Sequence, residues 1–187
     1  MRRARRIPLV AVAMVLVASA LAGCGLKIDM ARPVCGDAAL STLSLMAQSV
    51  RAATLVPCLE TSPTGWEFES LEVRNSGTEM VLENDRGGRK ALTVLLDDTC
   101  DTTGAVRIPS DEPGTTRYEK VERITPDYVG SRFYVFEGGC VTYEFNLETD
   151  QSSLLLNEAS LMVGFVNRST LRAELDEETG GVIENGP

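Results

Sequence analysis

The feature that most restricts the fold is a change of hydrophobic period after residue 65. Residues 66–73, 78–84 and 90–96 are short runs rich in apolar and branched side chains. They are separated by Asn75-Ser76-Gly77 and by Asp85-Arg86-Gly87-Gly88-Arg89, the turn chemistry of antiparallel hairpins. Residues 132–136 and 140–147 repeat the pattern around Glu137-Gly138-Gly139, with Val141, Tyr143, Phe145 and Leu147 alternating against Thr142, Glu144 and Asn146. In the third run Leu92, Val94 and Leu96 share one face and Ala91, Thr93 and Leu95 the other, which suits a sheet covered by helices on one side.

Helical signals flank this region. Leu40, Leu43, Met46, Ala47 and Val50 recur at three and four, predicting an amphipathic helix over residues 38–52 with Asp37 as its cap. Residues 154–166 read as buried helix or strand, and Ser169 is placed to cap a helix over 170–178 that Gly180-Gly181 ends. Residues 118–124 are ambiguous, because Tyr118, Val121 and Ile124 recur every three while Pro126 and the flanking runs favour an extended edge. The polar segment 100–114 reads as a long loop. The expected fold is a single α+β domain: an antiparallel sheet of five or six strands with helices near both ends.

The amino terminus carries a different kind of signal. Arg2, Arg3, Arg5 and Arg6 precede an apolar run from Ile7 to Ala22. At roughly 16 residues that run is short of the roughly 20 a spanning helix needs, and a charged region before an apolar one is the layout of a secretory signal. Leu21-Ala22-Gly23-Cys24, at the end of the run, resembles the lipobox of bacterial lipoproteins. The resemblance implies cleavage after Gly23, a diacylglyceryl thioether on Cys24, and retention at the outer face of the cell membrane. Two acyl chains exceed the level at which a single chain binds only marginally. Ile7, Pro8 and Leu9 after Arg5 and Arg6 match the twin-arginine export motif poorly, which favours the general secretory route. The expected organisation is a signal peptide over 1–23, a lipidated tether over 24–34, the extracytoplasmic domain over 35–180 and a loose tail over 181–187. Arginine outnumbers lysine fifteen to three, a bias of high-GC genomes, and in general character the chain is similar to actinobacterial envelope lipoproteins and to some extracytoplasmic sensor domains.

With Cys24 committed to lipid, Cys35, Cys58, Cys100 and Cys140 remain for an oxidising compartment. Four cysteines allow three connectivities. Sequence-local closure favours Cys35 with Cys58 and Cys100 with Cys140, each bridge contributing about 3–4 kcal/mol in the chain-entropy view. No two of these thiols stand at C-x-x-C spacing, which argues against a redox or zinc site. Removing residues 1–23 leaves 14 basic against 27 acidic side chains, a formal charge of −13. Such a surface repels nucleic acid and anionic headgroups.

The chain has no histidine, which removes Ser-His-Asp and Cys-His catalysis and histidine-ligated metals together. A serine nucleophile would have to rely on Lys27, Lys90 or Lys120, none of them in a Ser-x-x-Lys motif. Gly87-Gly88 is not followed by the Lys-Ser or Lys-Thr of a phosphate loop. Asn167-Arg168-Ser169 fits a glycosylation sequon, read as coincidence in a bacterial lipoprotein. Carboxylates cluster at Asp97, Asp98 and Asp101, at Asp111 and Glu112, and at Glu174, Asp176, Glu177 and Glu178. They read as solvated loops and a charged helix end. A glycosidase-like pair and a calcium loop at Asp97, Asp98 and Asp101, which lacks the Asp-x-Asp-x-Asp-Gly order, are the chemical alternatives.

Seven of the nine Tyr and Phe residues, Tyr118, Tyr128, Phe133, Tyr134, Phe136, Tyr143 and Phe145, crowd into one stretch. Tyr118, Tyr134, Phe136 and Tyr143 are therefore the candidate binding face, against a second small core under the 100–140 loop. The functional expectation is a non-catalytic binding or accessory module of the cell envelope, engaging an envelope protein or a small ligand without metal or cofactor. A lipid or small-ligand carrier and a carboxylate-based hydrolase are the alternatives.

Overall fold

A computed structural model describes residues 31–180; the expected signal peptide, Cys24, most of the expected tether and the expected tail over 181–187 lie outside the described residues. A 3-10 turn at Asp37–Ala39 leads into α1 (Leu40–Ser49). The strands are β1 (Leu55–Leu59), β2 (Trp66–Arg74), β3 (Gly77–Asn84), β4 (Gly88–Asp97), β5 (Val106–Ile108), β6 (Thr116–Arg123), β7 (Tyr128–Phe136) and β8 (Gly139–Leu147). They are followed by α2 (Ser152–Met162), β9 (Val163–Asn167) and α3 (Arg168–Glu178). The fold is α+β, with all strand pairs of both sheets antiparallel.

The large sheet has seven strands in the order β2-β3-β4-β8-β7-β6-β5, more than the five or six expected. The ambiguous segment 118–124 falls on a strand, β6, and the member beyond six is β5, embedded in the segment read as loop. A second sheet pairs β1 with β9, so the segment 154–166 that read as helix or strand is both in succession. Asp37 is not the helix cap: Ala39 occupies that position in α1 and makes no capping hydrogen bond. Asn167, not Ser169, is the cap position of α3. That helix ends at Glu178, with Gly180 at φ +65° just beyond.

Register shows which side chains share a face. Met80, Val94 and Tyr143 lie side by side across β3, β4 and β8, and Leu82, Leu92 and Phe145 form the next row. These inward rows join Leu40, Leu43, Met46 and Val50 of α1 and Leu155, Ala159 and Met162 of α2 in one buried core. Burial at roughly 25 cal/mol per Å2 of apolar surface makes this layer the main source of stability. Arg168 ties the layers together: its Nη1 donates to the Val50 carbonyl at 3.0 Å and the Ala53 carbonyl at 3.4 Å, and also to that of Ala47. A cation there complements the partial negative charge at the end of α1. Trp66 Nε1 and Arg86 Nη2 both donate to Glu158 Oε2 at 2.8 Å, fixing α2 to the β2 side.

Both expected disulfides are present, Cys35–Cys58 and Cys100–Cys140. The first joins the segment before α1 to β1, where Val34 also bridges Leu59. The second holds the chain leaving β4 against the outer face of the sheet, and Cys100 Sγ stands 3.0 Å from Thr142 Oγ1. Val81, Phe133 and Cys140 are buried there, apart from the main core.

Candidate functional site

The four aromatic candidates do not form one exposed face. Tyr134 and Tyr143 are each 1% exposed and Phe136 is buried with them in the core. Tyr118 pairs with Phe133, on the opposite side of the sheet. The inward three meet the small sheet, with Phe165 of β9 packing edge-on against Tyr134 at 5.3 Å and Phe136 at 6.4 Å. Burial pushes the Tyr134 phenol up to about 12 and that of Tyr143 well above the usual tyrosine range. Tyr143 Oη donates to the Val163 carbonyl at 3.3 Å. These rings hold the two sheets together.

Beside them lies a polar constellation that the sequence reading did not single out. Arg132 on β7 and Arg117 and Glu119 on β6 occupy inward positions opposite Tyr143, Tyr134 and Arg132 respectively. Arg132, 6% exposed, donates from Nε to Glu119 Oε1 at 2.7 Å and from Nη1 to Ser160 Oγ of α2. Its guanidinium lies 5.5 Å from the Phe145 ring centre. Arg117 bonds the same Glu119 oxygen and reaches Asp111 Oδ2 at 2.9 Å. Tyr134 Oη donates to the other Asp111 oxygen at 3.1 Å. Two guanidiniums and two carboxylates thus balance in charge, with Arg132, Arg117 and Glu119 largely withdrawn from water and Asp111 exposed at the rim. The signal for this cluster was Arg132 itself, which shares the inward alternation of Tyr134 and Phe136.

The cluster borders a groove of about 270 Å3 at the β5–β6 connection, lined by Arg107, Ser110, Thr115, Thr116 and Arg117 with Ile108 and Pro109. No carboxylate lines it, so it lacks the facing acids a glycosidase needs. Its lining also differs from the apolar cavity of a lipid carrier. Among the described residues no three His, Cys, Asp or Glu side chains are grouped to hold a metal ion, Asp97, Asp98 and Asp101 included. No described helix is long and apolar enough to cross a membrane.

The acids divide into two sets with opposite pH effects. Burial, reinforced by Asp111 and Glu60, raises Glu112. Burial also raises Asp97, with Asp98 adding to it, and Glu144, with Glu79, Asp97 and Glu122 adding to it. Burial pushes Glu119 up too, but its bonds with Arg117 and Arg132 outweigh this and hold it low. Raised acids bind their protons more tightly when folded, so stability rises as pH falls from neutrality through their folded values. The stabilisation from Glu119 is present above the unfolded carboxylate value and disappears as pH falls through its lower folded value. The melting temperature is therefore expected to peak at roughly pH 5, near the upper edge of the carboxylate range. A thermal-melting series from acid to neutral pH checks this, and a steady rise up to neutrality would contradict it.

Compared with protein families, with curated proteins and with solved structures, the chain matches none.

Proposed function

We propose that this protein is an envelope lipoprotein, anchored by a diacylglyceryl group on Cys24 at the outer face of the cell membrane, whose domain is a non-catalytic binding or accessory module. The observation that carries the reading is Leu21-Ala22-Gly23-Cys24 at the end of an arginine-led apolar run. Support comes from the two disulfides, which suit an oxidising compartment. The domain's most buried ionisable side chains are engaged with one another and with the fold. A small-ligand sensor is the second reading, favoured by the groove at β5–β6.

The native chain is expected to stay with membranes through a high-salt wash and to be released by detergent. A version beginning at Gly25 behind an ordinary secretory leader is expected to be recovered soluble outside the cell. Recovery of the native chain in the soluble fraction, or equal membrane retention of the Gly25 version, would count against the anchor.

A further inference from the structure

We infer that the domain rests on the bilayer that holds its own anchor, through an apolar patch made by Leu154 and Leu161 of α2 and Val106 and Val121 of the β5–β6 pair. This deepens the lipoprotein reading, on which it rests, by naming the surface that meets the membrane.

Placement is the first argument. Among the described residues these four side chains and Ile124, in the turn after β6, are 45–67% exposed. Leu154 and Leu161 stand seven residues apart in α2 and so share one face of the helix, away from Leu155, Ala159 and Met162 in the core. Val106 lies opposite Glu119, and Val121 follows Glu119 by two residues on the same side of β6, which makes the valines diagonal neighbours across the strand pair. Arg132 bonds Glu119 and also Ser160, the residue before Leu161. The two apolar pairs therefore flank one buried guanidinium on the side of the sheet that carries α2. Single exposed apolar side chains are ordinary, whereas a group of them on one side marks a contact surface.

The path of the chain names the occupant. Pro33 accepts from the Leu59 N–H at 2.7 Å, and Arg32 bonds Ser62 Oγ, which places the start of the domain beside the end of β1. Thr61 Oγ1 donates to the Leu161 carbonyl at 3.0 Å, and the Glu60 N–H donates to that of Met162 at 2.8 Å. The tether thus leaves the domain at the end of α2, next to Leu161. Seven residue steps separate Cys24 from Ala31, a reach of at most about 25 Å. Over so short a link the effective concentration is in the millimolar range, so a contact too weak to hold a free domain suffices. The carboxylates set among these residues, Glu119 and Glu158, are paired with Arg117, Arg132 and Arg86. A second copy is the poorer occupant, because two mature chains of formal charge −13 repel each other.

The test places the full lipidated chain in phosphatidylcholine vesicles and reads energy transfer from Trp66 to dansyl-labelled headgroups. Trp66 is the sole tryptophan and donates to Glu158 of α2, so it reports on this side of the domain. Transfer is expected to persist when about twenty Gly-Ser residues, a coil of ~25 Å, are inserted between Leu26 and Lys27, because a docked domain does not use the slack. In that extended chain Leu154→Glu with Leu161→Glu should lower transfer about 2-fold or more. Asn146→Asp, on the opposite face of the sheet, should leave it unchanged. Melting curves check that each variant is folded, and Val121→Glu replaces the leucine pair if that variant melts early. Transfer lost on extending the tether, or unchanged by the added glutamates, overturns the proposal. Transfer that appears only as protein density rises, together with crosslinked dimers, assigns the patch to a second copy and also overturns it. Flotation of the chain with the vesicles reads the anchor separately: a chain that floats without docking defeats this inference alone, and one that does not float defeats the anchor.

Discussion

Gly138→Ala is expected to lower stability by about 4 kcal/mol or more, at the upper end of what single substitutions do. Gly138 has φ +75°, where a side chain costs roughly 1–2 kcal/mol. The larger cost is contact: a Cβ there would lie 1.7 Å from the Ala52 carbonyl oxygen and 2.4 Å from its carbon. The turn cannot move aside freely, because Thr54 donates to the neighbouring Glu137 carbonyl from its backbone N–H at 3.1 Å and from Oγ1 at 2.9 Å. For a domain of this size about 4 kcal/mol corresponds to a drop in melting temperature of roughly 8–16 °C. Gly104 is the control, with φ +78° and nothing within 4 Å of its Cβ position. Gly104→Ala should cost only the backbone strain, about 1–2 kcal/mol. Equal melting temperatures for the two variants would mean that the β7–β8 turn does not press on the segment after α1.

Arg132→Ala is the second large effect. Truncating one partner of a buried ion pair costs about 3–5 kcal/mol, because the remaining charge stays desolvated. Arg117 still bonds Glu119, so the cost belongs at the low end, about 3 kcal/mol. The substitution also strips Ser160 of its guanidinium partner and uncovers the Phe145 ring. Adding Glu119→Gln should recover part of the loss, with a coupling of at least about 1 kcal/mol in a double-mutant cycle. Denaturant unfolding measures both. A loss below about 1 kcal/mol would mean that the guanidinium is hydrated and that the cluster does little to hold β6 and α2 to β7.

The hairpins were legible because their signals are local. The alternation of Val141, Tyr143, Phe145 and Leu147 and the Gly138-Gly139 turn specify β7–β8 without help from the rest of the chain. The disulfide pairing was legible because each bridge closes the nearer partner. β1 was missed: among the described residues its strand partner is β9, with Leu55 opposite Asn167, and nothing within residues 55–59 announces so distant a pairing, least of all Pro57. β6 was obscured by charge. Its inward positions hold Arg117 and Glu119, so apolar alternation disappears, and the irregularity between Val121 and Arg123 shifts the period toward three. The same substitution of charge for hydrophobicity hid the Arg117, Glu119 and Arg132 cluster. Of the candidate binding face, alternation shows only that Tyr134 and Phe136 share one side of β7; that this side is the buried one, with Tyr143, depends on α2 and on the β1–β9 pair, whose placement no local pattern fixes.

Anchoring at Cys24 is the claim on which the functional account stands. The most direct measurement is the intact mass of the chain extracted from membranes by detergent, recorded with and without reduction. The account predicts a polypeptide beginning at Cys24 and carrying a covalent diacylglyceryl group, with a mass about 4 Da lower before reduction than after it, one pair of hydrogens for each of the two bridges. A chain retaining residues 1–23, or one cleaved elsewhere and free of lipid, would contradict it.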